Sequence, residues 1–173
     1  MITYATSISS SQLKCIRQLQ KANLPDNLTE QEMAEQGFVT VVHTLDTLQK
    51  LNETEQHVTA KDNNTIVAYL LAMTAKSKEA IPVLKPKFIL FDEIQFHNKP
   101  VAAYNYIVVG QVCVDKQYRV DSVFDNCYVA YKEAFAINTI LLLQRSLQRM
   151  HGLSMLINAL GLRIFALISN RMA

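Results

Sequence analysis

After Glu133 the sequence contains no acidic residue and no lysine. Its last forty residues carry four charges, Arg145, Arg149, Arg163 and Arg171, and leucine becomes dominant. A single compact domain rarely changes composition so abruptly. Cysteine is scarce as well: Cys15, Cys113 and Cys127 are odd in number and lack metal-ligand spacing, which fits free thiols in a reducing cytoplasm. His43, His57, His97 and His151 have no ligand spacing either and read as surface or satisfied histidines. Met1-Ile2-Thr3-Tyr4 offers neither the basic start nor the apolar run of a signal peptide, so the expectation is cytoplasmic. Arginines interrupt the apolar tail too often for a membrane span. A net charge of +2 is too small to argue for a nucleic-acid partner. Internal repeats and low-complexity linkers are absent.

What is present suits one domain, since 173 residues, half of them apolar, can bury a substantial core. Ile2 to Ile8 reads as a strand, and Ser9 to Ser11 cap a helix over Gln12 to Ala22 with Leu13, Ile16 and Leu19 inward. Thr29 to Glu32 opens a second helix that Gly37 ends. Phe38 to His43 alternates as a strand, and Thr44 to Glu53 returns to helical spacing. His57 to Lys61 and Thr65 to Met73 form a hairpin across Asp62-Asn63-Asn64. Pro82 and Pro86 make Ala75 to Glu93 irregular.

The most informative stretch runs from Tyr104 to Phe135. Ile107 to Val114 is β-branched and apolar apart from Gly110 and Gln111, and it predicts a buried strand. Asp115 to Arg119 is a polar turn, after which Val123, Cys127, Ala130, Tyr131 and Ala134 recur at helical spacing. A strand feeding a helix in this way aims free backbone N–H groups at one point, where an anion can sit. The segment resembles the acetyl-CoA-binding motif of the GNAT N-acetyltransferase superfamily, in which a strand ending in Val-x-Val leads to Arg/Gln-x-x-Gly-x-Gly/Ala and a helix. The motif falls on Val112-Cys113-Val114 and then Arg119-Val120-Asp121-Ser122-Val123-Phe124. The order of elements from Ile2 to Phe135 matches the family too, and the resemblance implies an α/β fold with a mixed central sheet flanked by helices.

That resemblance implies acetyl transfer from acetyl-CoA to a primary amine on a small molecule or peptide. Backbone at Val112 to Val114 would hold the pantetheine arm, with the Cys113 N–H nearest the reacting carbonyl. Residues Arg119 to Phe124 would meet the pyrophosphate. Gln111 is the weak candidate for orienting the amine or a water; no catalytic acid or base is assigned. The motif's glycines are missing. Val120, Ser122 and Phe124 add side chains where amides must approach phosphate, and Asp121 adds like charge, so the expected grip on CoA is weak. Asp121 can equally serve as a first-turn or capping residue. Cys113 reads as inert core, and the tyrosines from Tyr104 to Tyr131 as packing. Lys85, Lys87, Phe88, Phe91 and Phe96 fall where the family varies its substrate loop.

The tail departs from the family at residue 136. Leucine and arginine favour helix, and Ala136 to Met150 has no alternation of period two. The expectation is a core over 1–135 and a helical or poorly ordered apolar tail over 136–173, which withholds the strand that should pair beside Ile107 to Val114. Such a tail could mediate self-association or lie on a membrane surface. The genetic code gives another view of it. The first two bases of each codon are largely fixed by the residue and become the last two of a codon in a shifted frame. From the third base of the Ala136 codon, compatible codons spell NKYDFAITEIATKNARSLNAHKRIGF, ending near Gly161 and Leu162. That string resembles the missing half of the family core: a strand, then a helix carrying Asn-Ala-His-Lys-Arg-Ile-Gly-Phe. The tail therefore reads as a frameshift product starting near Phe135 to Ile137. Two classes follow: an N-acetyltransferase impaired in this chain, or a non-catalytic remnant that associates through its tail.

Overall fold

The computed structural model describes residues 1–6, 8–82, 85–119, 122–135, 140–144, 156–157 and 162–166. Strand β1 (Ile2–Ala5) leads to helix α1 (Ser10–Ala22), the short α2 (Glu30–Gln36) and α3 (Leu45–Thr54). The hairpin β2 (Val58–Asp62) and β3 (Thr65–Thr74) turns at Asn63, whose positive φ of 53° asparagine tolerates. Helices α4 (Ser77–Ala80) and α5 (Lys85–Glu93) precede a small hairpin, β4 (Gln95–Phe96) and β5 (Lys99–Pro100). Strand β6 (Tyr106–Val114) and helix α6 (Val123–Phe135) follow, and then β7 (Ile140–Gln144), β8 (Leu156–Ile157) and β9 (Leu162–Ala166).

Seven strands form one sheet in the order β1-β2-β3-β6-β7-β9-β8. Neighbours from β1 to β6 are antiparallel, whereas β7 lies parallel to β6 after the crossover through α6. The result is the mixed sheet flanked by helices that the sequence predicts. Alternation along β3 sends Ala68, Leu70 and Ala72 into one apolar cluster with Cys127, Tyr128 and Tyr131 of α6. Tyr69 and Leu71 meet Leu13, Ile16 and Leu19 of α1 and Leu48 of α3 on the opposite face. A third cluster joins Phe88 and Phe91 of α5 to Tyr106 and Val108.

Strand β6 carries one irregularity that sets its geometry. Leu71 stands opposite Gln111 and Ala72 opposite Val109, so Gly110 is an extra residue in the ladder. The bulge resets the alternation: Ile107 and Val109 lie on the α6 face, and so do Val112 and Val114. Gly110 also underlies the Met73 side chain, since a Cβ there would sit 2.3 Å from Met73 Sδ.

Three expectations are corrected. Residues 38–43 join no strand: Val39 N–H donates to the Asn23 carbonyl at 2.9 Å and His43 N–H to Gln20 Oε1 at 2.9 Å. They strap the C-terminal half of α1 because those acceptors take their donors. Lys85–Glu93 is a helix rather than irregular chain, because Pro86 falls in its first turn, where no intrahelical N–H is needed. The tail is not helical where it is described. Ile140 to Leu143 pair in parallel with Tyr106 to Val109, and β9 and β8 extend the sheet. An open β6 edge and an Ile-Leu-Leu-Leu run suited to a parallel strand outweigh the helix preference of leucine. The rest of the tail lies outside the described residues.

Candidate functional site

The site grows from the two unequal halves of β6. On its β3 side the strand is paired from Ile107 to Val114. On its β7 side pairing runs only from Tyr106 to Val109. Among the described residues, the β7-side edge from Gly110 to Val114 therefore has no partner strand. Asp115 N–H donates to the Val67 carbonyl at 2.7 Å, which fixes the alternation backwards along the ladder. Backbone groups of Cys113 and Gln111 face β3, and those of Val112 and Val114 face the open edge. Arg119 agrees with this assignment, because its Nε donates to the Val114 carbonyl at 3.0 Å. The edge thus presents the Val112 N–H, the Val112 carbonyl and the Val114 N–H. Alternation turns the Cys113 N–H, expected near a reacting carbonyl, toward β3.

Beyond the strand the chain is pinned. Asp115 Oδ1 accepts from Gln117 N–H at 2.9 Å, and the Tyr118 hydroxyl donates to Asp62 Oδ2 at 3.0 Å. Arg119 spreads its guanidinium between Gln36 Oε1, at the end of α2, and Asn23 Oδ1, at the end of α1. The Ser122 carbonyl accepts the first helical bond of α6 from Asn126 N–H at 2.9 Å, and Ser122 Oγ takes Asn126 Nδ2 at 3.1 Å. That leaves the amides of Val123, Phe124 and Asp125 without intrahelical acceptors at the positive end of a 13-residue helix. Val123 is buried in the core, and the Phe124 ring packs on Tyr128 with centroids 5.0 Å apart. Val120 and Asp121, both expected at the pyrophosphate, lie outside the described residues.

Behind the open edge sits a polar hub. Gln111 Oε1 accepts from Gln20 Nε2 at 2.8 Å and from the Tyr69 hydroxyl at 2.6 Å, and Gln111 Nε2 donates to the Val41 carbonyl at 2.9 Å. Gln20 Nε2 gives its second hydrogen to His43 Nδ1 at 3.0 Å. One proton arrangement satisfies all of these bonds, with His43 neutral and protonated on Nε2. Burial lowers the His43 pKa, which favours that form. Both acceptor positions of the Gln111 oxygen are occupied, so it ties β6 to α1 and to the strap at Val41 rather than presenting a free oxygen to an amine. Cys113 lies on this same face, buried, with its pKa pushed up to about 12 by burial.

Sequence reasoning brings together Val112, Val114, Arg119, Ser122, Val123 and Phe124, and the structure places them along one strand end and one helix start. It misses Asn23, Gln36, Gln20, Tyr69 and His43. One signal was available for Gln20: it stands where the apolar period of α1 calls for a core residue. Among the described residues no group of side chains could hold a metal ion, and no helix is long and apolar enough to cross a membrane.

No family model matches the chain, and no curated protein matches it. Among solved structures, a GNAT-family acetyltransferase from Streptococcus agalactiae 2603 is similar at 9% identity and a TM-score of 0.49, over 82% of this chain and 74% of that one.

Proposed function

We propose that the chain binds acetyl-CoA along the open edge of β6 and transfers the acetyl group to a primary amine on a small molecule or peptide, with a weakened hold on the cofactor. What supports the reading is that, among the described residues, β6 has no β7-side partner from Gly110 to Val114, ahead of the start of α6. An amide-bearing arm fits such an edge as an added half-strand, with the Val112 and Val114 N–H groups as donors. The phosphates fall to the N-terminus of α6. In the reaction the amine nitrogen attacks the thioester carbonyl, the C–S bond breaks, and CoA leaves as the thiolate. The protein supplies proximity and a backbone N–H to the developing oxyanion, and the amine proton leaves through water. The Cys113 thiol, held protonated, takes no part.

Acetyl-CoA titration by calorimetry tests the reading, on the native chain and on Val120→Gly/Asp121→Gln/Ser122→Gly. Weak saturable binding that the triple variant tightens at least tenfold is expected, and thiol release with an amine panel should follow the same order. Absence of binding in both proteins would sink the proposal and favour a remnant that self-associates. The frameshift reading has its own check, the nucleotide sequence at the Phe135 codon. A shifted frame full of stops would exclude it.

A further inference from the structure

We propose that His43 is a proton-sensitive latch: neutral, it holds the end of the strap over residues 38–43 against α1, and protonated, it lets that end go. The latch is independent of the proposed acetyl transfer. Among the described residues, four hydrogen bonds tie the strap to the rest of the domain. One is outside the latch, from Val39 N–H to the Asn23 carbonyl at 2.9 Å. The other three belong to one circuit. His43 N–H donates to Gln20 Oε1 at 2.9 Å, Gln20 Nε2 donates to His43 Nδ1 at 3.0 Å, and Gln111 Nε2 donates to the Val41 carbonyl at 2.9 Å. Gln20 Nε2 joins the two halves by donating to Gln111 Oε1 at 2.8 Å.

Main-chain groups fix the direction of every bond in that circuit. A backbone N–H donates and a backbone carbonyl accepts, so His43 N–H assigns the oxygen of Gln20 and the Val41 carbonyl assigns the nitrogen of Gln111. Turning the Gln20 amide over would set its NH2 against the His43 N–H and its oxygen against the Gln111 oxygen. Turning both amides would set the Gln111 oxygen against the Val41 carbonyl. The second hydrogen of Gln20 Nε2 must therefore meet an acceptor at His43 Nδ1, and that nitrogen accepts only while it carries no proton. Gln20 is fully buried, so water does not relieve two donors set face to face.

The surroundings give an imidazolium no compensation. Arg17 stands one turn before Gln20 on α1, and His57, next to the start of β2, feels the charge of His43; both carry like charge when protonated. From β3 and β6 come the Tyr69 hydroxyl and the Cys113 thiol, which burial keeps protonated. Asp46, in the first turn of α3, is held by Lys50 at 2.9 Å. Among the described residues no carboxylate pairs with His43. Burial also lowers the His43 pKa. Two points beside the latch stay fixed: Val39 is buried in the α1 cluster, and Thr44 caps α3 by accepting from Thr47 N–H at 3.1 Å. Release therefore bows residues 40–43 outward between them and uncovers Gln20 and Gln111 beside the open edge of β6.

Amide hydrogen exchange and histidine ring nitrogen shifts, followed on the whole chain from about pH 8 downward, test the latch. At the start the His43 ring is expected as the Nε2–H tautomer. As it protonates, the protection factor of its own amide should fall at least tenfold. That of the Val39 amide, whose bond lies outside the circuit, should change less than twofold. His43→Asn places an oxygen near the position of Nδ1 that takes up no proton in this range, and should keep the amide at position 43 protected throughout. His57→Gln should leave the response intact, which separates it from the titration of the buried histidine. An Nδ1–H tautomer at the start, or equal loss of protection at Val39 and position 43, would overturn the proposal. So would an amide at position 43 that stays protected once the ring is charged, a ring that stays neutral until the chain unfolds, or the same acid response in His43→Asn.

Discussion

The two faces of the central sheet solve the problem of burial in opposite ways. On the α6 face the interior is made of volume: Val58, Leu70, Val109, Val114, Cys127 and Tyr131 pack into one apolar cluster. On the α1 face the apolar cluster surrounds Gln20, Tyr69 and Gln111, which bond one another and the strap at Val41 and His43. The contrast is clearest in two buried tyrosines. Tyr69 donates to Gln111 at 2.6 Å, whereas the Tyr131 hydroxyl has no partner among the described residues. Burial raises the pKa of both well above the ordinary tyrosine value, so neither ionises. An apolar interface tolerates sliding and repacking; a hydrogen-bonded one holds α1 and the strap in a single position against β6.

The largest test of that contrast removes the hub. Gln111→Leu leaves the Tyr69 hydroxyl, a Gln20 hydrogen and the Val41 carbonyl without partners, and is expected to cost about 3 kcal/mol in urea unfolding. A loss below ~1 kcal/mol would mean that the polar face is held by volume after all. The second test uses pH. His57 is fully buried, its Nδ1 accepts from Ala72 N–H at 3.2 Å, and burial, followed by the charge of His43, lowers its pKa from 6.5 to about 4. The folded form binds its proton less readily than the unfolded form. The stability it contributes is therefore complete above pH 6.5 and is lost progressively down to about pH 4. The loss over that window is on the order of 3 kcal/mol. His57→Gln should flatten the stability curve there, and an unchanged slope would show that another group governs it.

Smaller effects separate the tyrosines. Tyr69→Phe is expected to cost about 1 kcal/mol, since it deletes one donor from a satisfied network. Tyr131→Phe removes a hydroxyl that no partner satisfies and should be neutral or slightly stabilising, within about 0.5 kcal/mol. Thermal melting of the pair decides it, and equal losses would erase the distinction between the faces.

The skeleton of the α6 face was legible from the sequence because it rests on periodicity alone. Val123, Cys127 and Tyr131 at helical spacing and the run from Ile107 to Val114 carry it, and the structure places both as predicted. The bulge is written there as well, for Gly110 and Gln111 interrupt the run at the point where the alternation resets. The polar face was not legible. Gln20, Gln111 and His43 are far apart in the chain, and a lone polar residue does not announce which distant partner will satisfy it. The strap over 38–43 was misread because alternation marks extended chain, not the ladder that makes extended chain a strand. The tail was misread for the complementary reason, since propensity is local and a vacant sheet edge is not.

Arg119 carries a further consequence, for the order in which the chain assembles. Its fork closes on Asn23 and Gln36, residues that leave the ribosome some ninety positions earlier, and its Nε closes on the end of β6. Until that arginine is made, the fork that ties α1 and α2 to the end of β6 cannot form. Once it is in place, β1, β2, β3 and β6 and the helices of the α1 face are complete, while α6 and the parallel partner of β6 still await synthesis. Released chains truncated just after Arg119 should resist protease over α1 and α2 better than chains truncated just before it. Between that moment and the arrival of β7, the whole outer edge of β6 is bare, which is the interval in which two nascent copies could pair with each other.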